Sequence, residues 1–255
     1  MAQIIIVILI IIFTTTFAWA DYEKGLAALK KGEYEIALRV LEPLAEKGDV
    51  RAQTTLGYMY AAGDGVTQNY FIALKWLRMA AEQNYVQAQV NIGLIILRPS
   101  FIATPEEYAE AFKWFRKAAN QDNAEAQFNI GLMYSGGKGV SKDSVESVKW
   151  FRKAAEQGHA PSQCVIGAMY HDGDGVPQDY VKAHMWYNLA QVSPQLPEDG
   201  KVACVMAFNR LKLLMTPYQI AEAQRLAREW RPKQPSTTSR SFSLPKPKNK
   251  RSIQS

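Results

Sequence analysis

Histidine and cysteine are scarce in this 255-residue chain, and the scarcity removes several chemistries. The three histidines, His159, His171 and His184, are paired neither with one another nor with a cysteine at metal-ligand spacing. The run His171-Asp172-Gly173-Asp174-Gly175 suggests a calcium loop, but Ala183 stands where the closing glutamate belongs. No metal and no cofactor is expected. Acidic residues are missing after Trp230, where seven basic ones stand, so the +6 charge belongs to a tail and residues 1–230 net to −1. A body without a basic stripe cannot displace counterions from phosphates, which excludes nucleic acid as its partner.

Long apolar runs are lacking too. The N-terminal block, Ile4 to Phe13, has ten residues, against about 20 for a helix that crosses a bilayer. Three threonines and Ala18-Trp19-Ala20 follow it, ahead of Asp21, and this order predicts a secretory signal cleaved after Ala20. The mature chain is then periplasmic or secreted. No Lys or Arg precedes the block, so the competing reading is an uncleaved anchor in the inner membrane.

What the chain has in plenty is itself. LGYMYAAGDGV (56–66), IGLIIL (92–97), IGLMYSGGKGV (130–140) and IGAMYHDGDGV (166–176) are each followed by a tryptophan segment. Gly57, Gly93, Gly131 and Gly167 lie 36, 38 and 36 residues apart, and Trp76, Trp114, Trp150 and Trp186 lie 38, 36 and 36 apart. Two marker sets on one period mean stacked repeats of two helices each. In the first helix Ala52, Leu56 and Tyr60 recur at i, i+4 and i+8, as do Ala88, Ile92, Ile96 and Ala126, Ile130, Tyr134, which places them on one face. The neighbouring glycines, lacking a Cβ, are expected to admit a second helix closely. In the second helix the indole between two alanines (Ala73, Trp76, Ala80 and equivalents) is expected to be the knob.

The loops carry turn chemistry: Gly63 and Gly65 for positive φ, Val66 as an apolar plug. Thr104-Pro105-Glu106-Glu107, Asp143, Asp179 and Thr216-Pro217 mark helix starts. The second unit's loop, LRPSFIATP, has lost both glycines, and Ser135 falls in the glycine turn of the third. The boundaries are a signal at 1–20, a capping helix pair at 21–50 with Ala37, Leu41 and Leu44 facing inward, four repeats over 51–192, capping helices over 193–230 and a disordered basic tail at 231–255. Cys164 and Cys204 form a disulfide if the last repeat folds against the terminal helices; otherwise they are two buried thiols.

The spacing A-x(3)-LG-x(2)-Y-x(2)-G-x-GV, with a capped helix carrying A-x(2)-W-x(3)-AA, resembles the Sel1-like repeat family, relatives of the tetratricopeptide repeats. The resemblance implies an all-α, right-handed α-solenoid of helix-turn-helix repeats that serves as a non-catalytic adaptor for a protein or peptide. It also implies that first helices line a concave groove. Residues offset by two from the core face then form a strip along it: Thr54 and Tyr58, Val90 and Leu94, Phe128 and Leu132, Cys164 and Ala168. Tight coiling would bury Val90 and Phe128 and leave Tyr58 and Leu132 open.

Two other functions compete. Cysteine-rich exported relatives have been linked to weak β-lactam binding or hydrolysis, and Ser-x-x-Lys occurs at Ser135–Lys138 and Ser243–Lys246. That chemistry needs both groups on a buried helix beside Ser-Asp-Asn and Lys-Thr-Gly, which are absent. The other is weak contact of residues 231–255 with an anionic envelope surface.

Overall fold

A computed structural model describes residues 19–98 and 103–233. The apolar block of the expected signal, four residues of the second unit's loop and the tail from residue 234 lie outside the described residues. Within them are twelve α-helices and no strand. Residues 19–31 form α1 and Tyr34–Glu46 α2. The repeats follow as α3 (Val50–Ala62) and α4 (Tyr70–Glu82), α5 (Val86–Ile96) and α6 (Pro105–Ala119), α7 (Ala124–Gly136) and α8 (Ser144–Glu156), then α9 (Ala160–Asp172) and α10 (Tyr180–Gln191). α11 (Glu198–Lys212) and α12 (Pro217–Glu229) come last. The described residues divide between Ile95 and Ile96 into two compact units.

Local chemistry sets the helix ends. The Asp143 and Asp179 carboxylates accept the N–H of Glu146 and Lys182, each at 3.0 Å. Thr104 and Thr216 form full capping boxes with Glu107 and Gln219, and a proline opens each helix. Gly63, Gly137 and Gly173 end α3, α7 and α9 in the left-handed region, where their N–H groups reach Met59, Met133 and Met169. Each loop then closes on itself: the N–H of Asn69, Asp143 or Asp179 donates to the carbonyl of Tyr60, Tyr134 or Tyr170. Ser135 belongs to the last turn of α7 rather than to the loop, because the helix runs on to Gly136 before Gly137 turns it.

The first unit's core joins Leu26, Leu29, Ala37, Leu41 and Leu44 of the capping pair to Leu56 and Met59 of α3. The second unit's core runs through Val148, Phe151, Ile166, Ala183 and Tyr187 to Cys204 and Leu211 of α11. The glycine expectation holds in detail. A Cβ on Gly57 would lie 2.6 Å from Leu77, on Gly131 2.7 Å from the Phe151 ring, and on Gly167 2.9 Å from the Tyr187 ring. Gly93 is buried as well.

The knob, however, is the residue after each tryptophan. Leu77, Phe115, Phe151 and Tyr187 are fully covered; Trp150 and Trp186 are buried as well, whereas Trp76 and Trp114 are only half-buried. The inner stripe of α4 is Ala73, Leu77, Ala80 and Ala81, and position 76 is turned about 100° away from position 77. The indoles flank the stripe and take cations on their faces: Lys117 over Trp114 at 4.3 Å, Lys153 over Trp150 at 4.3 Å and Arg116 over Trp150 at 5.1 Å. Trp186 meets Trp230 edge to face at 6.2 Å.

A buried glutamine recurs in every first helix. The Gln53 amide donates to Ala45 O at 2.9 Å, Gln89 to Ala81 O at 3.3 Å, Gln127 to Ala119 O at 3.4 Å and Gln163 to Ala155 O at 3.2 Å. Each satisfies a carbonyl in the last turn of the helix before it. Gln157 in turn donates to Gln127 Oε1 at 2.8 Å, and Gln83 to Gln53 Oε1 at 3.2 Å.

Candidate interaction surface

The eight strip positions do not form one open surface. On α3, Thr54 is buried and its hydroxyl donates to Val50 O at 2.7 Å, while Tyr58 is half-buried against the first unit's core. On α5, Val90 is wholly covered and Leu94 half-buried. On α7, Phe128 leans on Phe151 at 5.6 Å and on His159 at 5.1 Å, but Leu132 is 41% exposed. On α9, Cys164 is bonded to Cys204 of α11, with Cα atoms 5.8 Å apart, and Ala168 packs against the same core. Thr54 and Val90 therefore offer a partner nothing: their offset of two from the core face turns them onto neighbouring helices. Cys164 is spent on the disulfide, so the reading of two separate thiols falls. Tyr58, Leu94 and Leu132 keep accessible surface.

A charged and polar group gathers at the start of α3. The Asp49 carboxylate caps the helix and takes Arg51 at 2.7 Å. Burial alone would raise the Asp49 carboxyl, but the hydrogen bonds from Arg51 and from the Ala52 N–H hold it below its ordinary value. The Arg51 guanidinium lies 4.5 Å over the Tyr22 ring, whose hydroxyl meets Thr55 at 3.2 Å. Burial pushes the hydroxyls of Tyr22 and Tyr85 up, so both stay neutral donors at physiological pH.

A concavity lies where α6 and α8 end. It has a volume of about 410 Å³ and is edged by Asn120, Asp122, Gln127, Lys153, Glu156 and Lys233. Lys233 is held there, its N–H on Glu156 O at 2.7 Å and its ammonium on the Glu156 carboxylate at 2.6 Å. The segment expected to be disordered from residue 231 is thus held at Lys233. Among the described residues no three His, Cys, Asp or Glu side chains gather as a metal would require. Lys138 leans towards the Tyr108 ring at 5.9 Å. No helix of the described residues is long and apolar enough to cross a membrane.

The family profile described as Sel1 repeat matches residues 50–85, 86–123, 124–159 and 160–190, more than half of the chain. The chain belongs to the Sel1 repeat family. The four matched spans coincide with the helix pairs α3–α4, α5–α6, α7–α8 and α9–α10, and the fold is an all-α repeat solenoid. Among solved structures, it resembles a protective antigen of uropathogenic Escherichia coli that displays an SLR fold, with a TM-score of 0.74, 33% identity, and coverage of 84% of this chain and 45% of the antigen. It is also similar to a Sel1 repeat protein from Oxalobacter formigenes, with a TM-score of 0.66 and 28% identity over 86% of this chain and 87% of that one. An exopolysaccharide production negative regulator of Rhizobium leguminosarum bv. viciae is 35% identical over 75 residues, 29% of this chain and 28% of the regulator. The Sel1 chain thus spans less than half of the regulator and of the antigen. Sel1 repeats generally mediate contacts between proteins.

Proposed function

We propose that this protein is a non-catalytic scaffold that holds a protein or peptide against the open side of its first helices, in the periplasm or outside the cell. The observation that carries this reading is Leu132. It stands 41% exposed on a helix whose Ala126, Ile130 and Met133 are covered, so the core does not explain it. Tyr58 and Leu94 present smaller apolar edges at equivalent positions of α3 and α5. The Cys164–Cys204 bond supports an oxidising compartment, as does the apolar segment before Asp21. Nothing in the geometry favours the β-lactam alternative: Ser135 and Lys138 sit at a helix end with Lys138 turned to Tyr108.

The test is quantitative binding of partners cross-linked in the native envelope. Tyr58→Ser with Leu132→Ser should weaken the captured complex by about tenfold or more while leaving the melting midpoint in place. Unchanged affinity in that variant would remove the first-helix face from consideration.

A further inference from the structure

We propose that the turn between α11 and α12 is a separate contact site that docks on an anionic phospholipid surface. α11 is apolar on two sides. Cys204, Phe208 and Leu211 face inward and join the C-terminal core. Val202, Met206 and Leu213 face outward at i, i+4 and i+11, one stripe along the helix, and Leu214 and Tyr218 extend it around the turn. Their exposures are 59%, 59%, 85%, 55% and 80%. Nothing among the described residues accounts for an outward apolar stripe on a helix whose opposite side already serves the core.

The charges name the occupant. Arg210 and Lys212 accompany the stripe near the turn, Lys201 at its far end is paired with Glu198 at 3.9 Å, and no Asp or Glu occurs from residue 201 to residue 221. The next acid, Glu222, is neutralised by Arg225 at 2.6 Å. Leucines at a turn, a tyrosine beside them and cations one turn back match the layers of an anionic bilayer: acyl boundary, interface and headgroup phosphates. The turn is also presented rigidly. The Cys164–Cys204 bond fastens α11 to α9, and the Thr216 capping box fixes the start of α12, so little ordering is needed on contact. The site uses no residue of the first-helix face and stands whether or not that face binds a partner.

Both native cysteines are occupied, so Tyr218→Cys in the full chain takes a polarity-sensitive dye at one place. On vesicles of phosphatidylcholine and phosphatidylglycerol in equal parts, the dye should shift to the blue and be quenched by brominated lipid. Phosphatidylcholine alone should give a much smaller effect, and added salt should weaken binding. Leu213→Ser with Leu214→Ser should lower the vesicle affinity read by the dye about tenfold or more, with the melting midpoint unchanged. Leu132→Ser should leave the dye signal as it was, which separates failure here from failure of the first-helix reading. A dye that stays in water on vesicle-bound protein overturns the proposal. So does a blue shift that grows with protein concentration without lipid, which would assign the stripe to a second copy of the chain.

Discussion

Gln127 shows how much one side chain holds between neighbouring repeats. Its buried amide covers the Ala119 carbonyl, and its oxygen accepts from the half-buried Gln157. Gln127→Leu would strand that carbonyl and cost about 1–3 kcal/mol, read as a shift in the urea midpoint at constant slope. The period of 36, 38 and 36 residues for Gln53, Gln89, Gln127 and Gln163 was visible in the sequence. Apolar periodicity does not single it out, because a buried glutamine is polar. His159 acts at the same scale. It caps α9 through Nδ1, 2.8 Å from the Ser162 hydroxyl, and burial pushes its pKa from 6.5 to about 4. The unfolded chain then binds the proton more readily than the folded one. Stability is complete above the unfolded value and falls as pH drops from about 6.5 to about 4, by about 3 kcal/mol in all. Melting midpoints across that range should show the fall, and His159→Asn, which keeps a cap acceptor without titrating, should flatten it.

At the scale of the element, α11 and α12 differ from the repeats in how they are held. A repeat pair is locked by its glycine and the large side chain opposite, whereas α11 is fastened to α9 by a disulfide across a separation of 40 residues. Reduction should lower stability by about 3–4 kcal/mol through the regained freedom of the unfolded loop, measured as urea midpoints with and without dithiothreitol. α12 depends on its start, and Thr216→Ala should cost about 1 kcal/mol. The caps at Thr104, Asp143, Asp179 and Thr216 were legible because a cap is a local bargain between a side chain and the next three N–H groups. The choice of knob was not legible. Trp76 and Leu77 are adjacent in sequence and both apolar, and only the packing partner, a glycine 20 residues earlier, decides which of them turns inward.

For the whole molecule, the repeat period predicts that the helix pair is the unit of folding as well as of sequence. Excising residues 124–159, one complete pair, should leave a shorter protein with the same helical signal per residue and a cooperative transition. Excising 144–159 alone should expose the glycine face of α7 and leave a protein without a sharp melt. Equal behaviour of the two deletions, followed by circular dichroism, would show that the pair is not the cooperative brick.

The sequence by itself determined the class and register of this fold. Helix caps, left-handed glycines and a fixed apolar period are short-range properties, and every neighbour that repeats them reinforces the same pairing. Tertiary structure alone decided which surface stays open. Thr54, Val90 and Phe128 stand at the same position of three first helices, yet the first two are sealed and the third is half-buried, because exposure depends on which helix comes to lie alongside. The same holds for the pairing of Cys164 with Cys204 and for the outward stripe of α11. Both depend on distances between segments that sequence spacing does not measure.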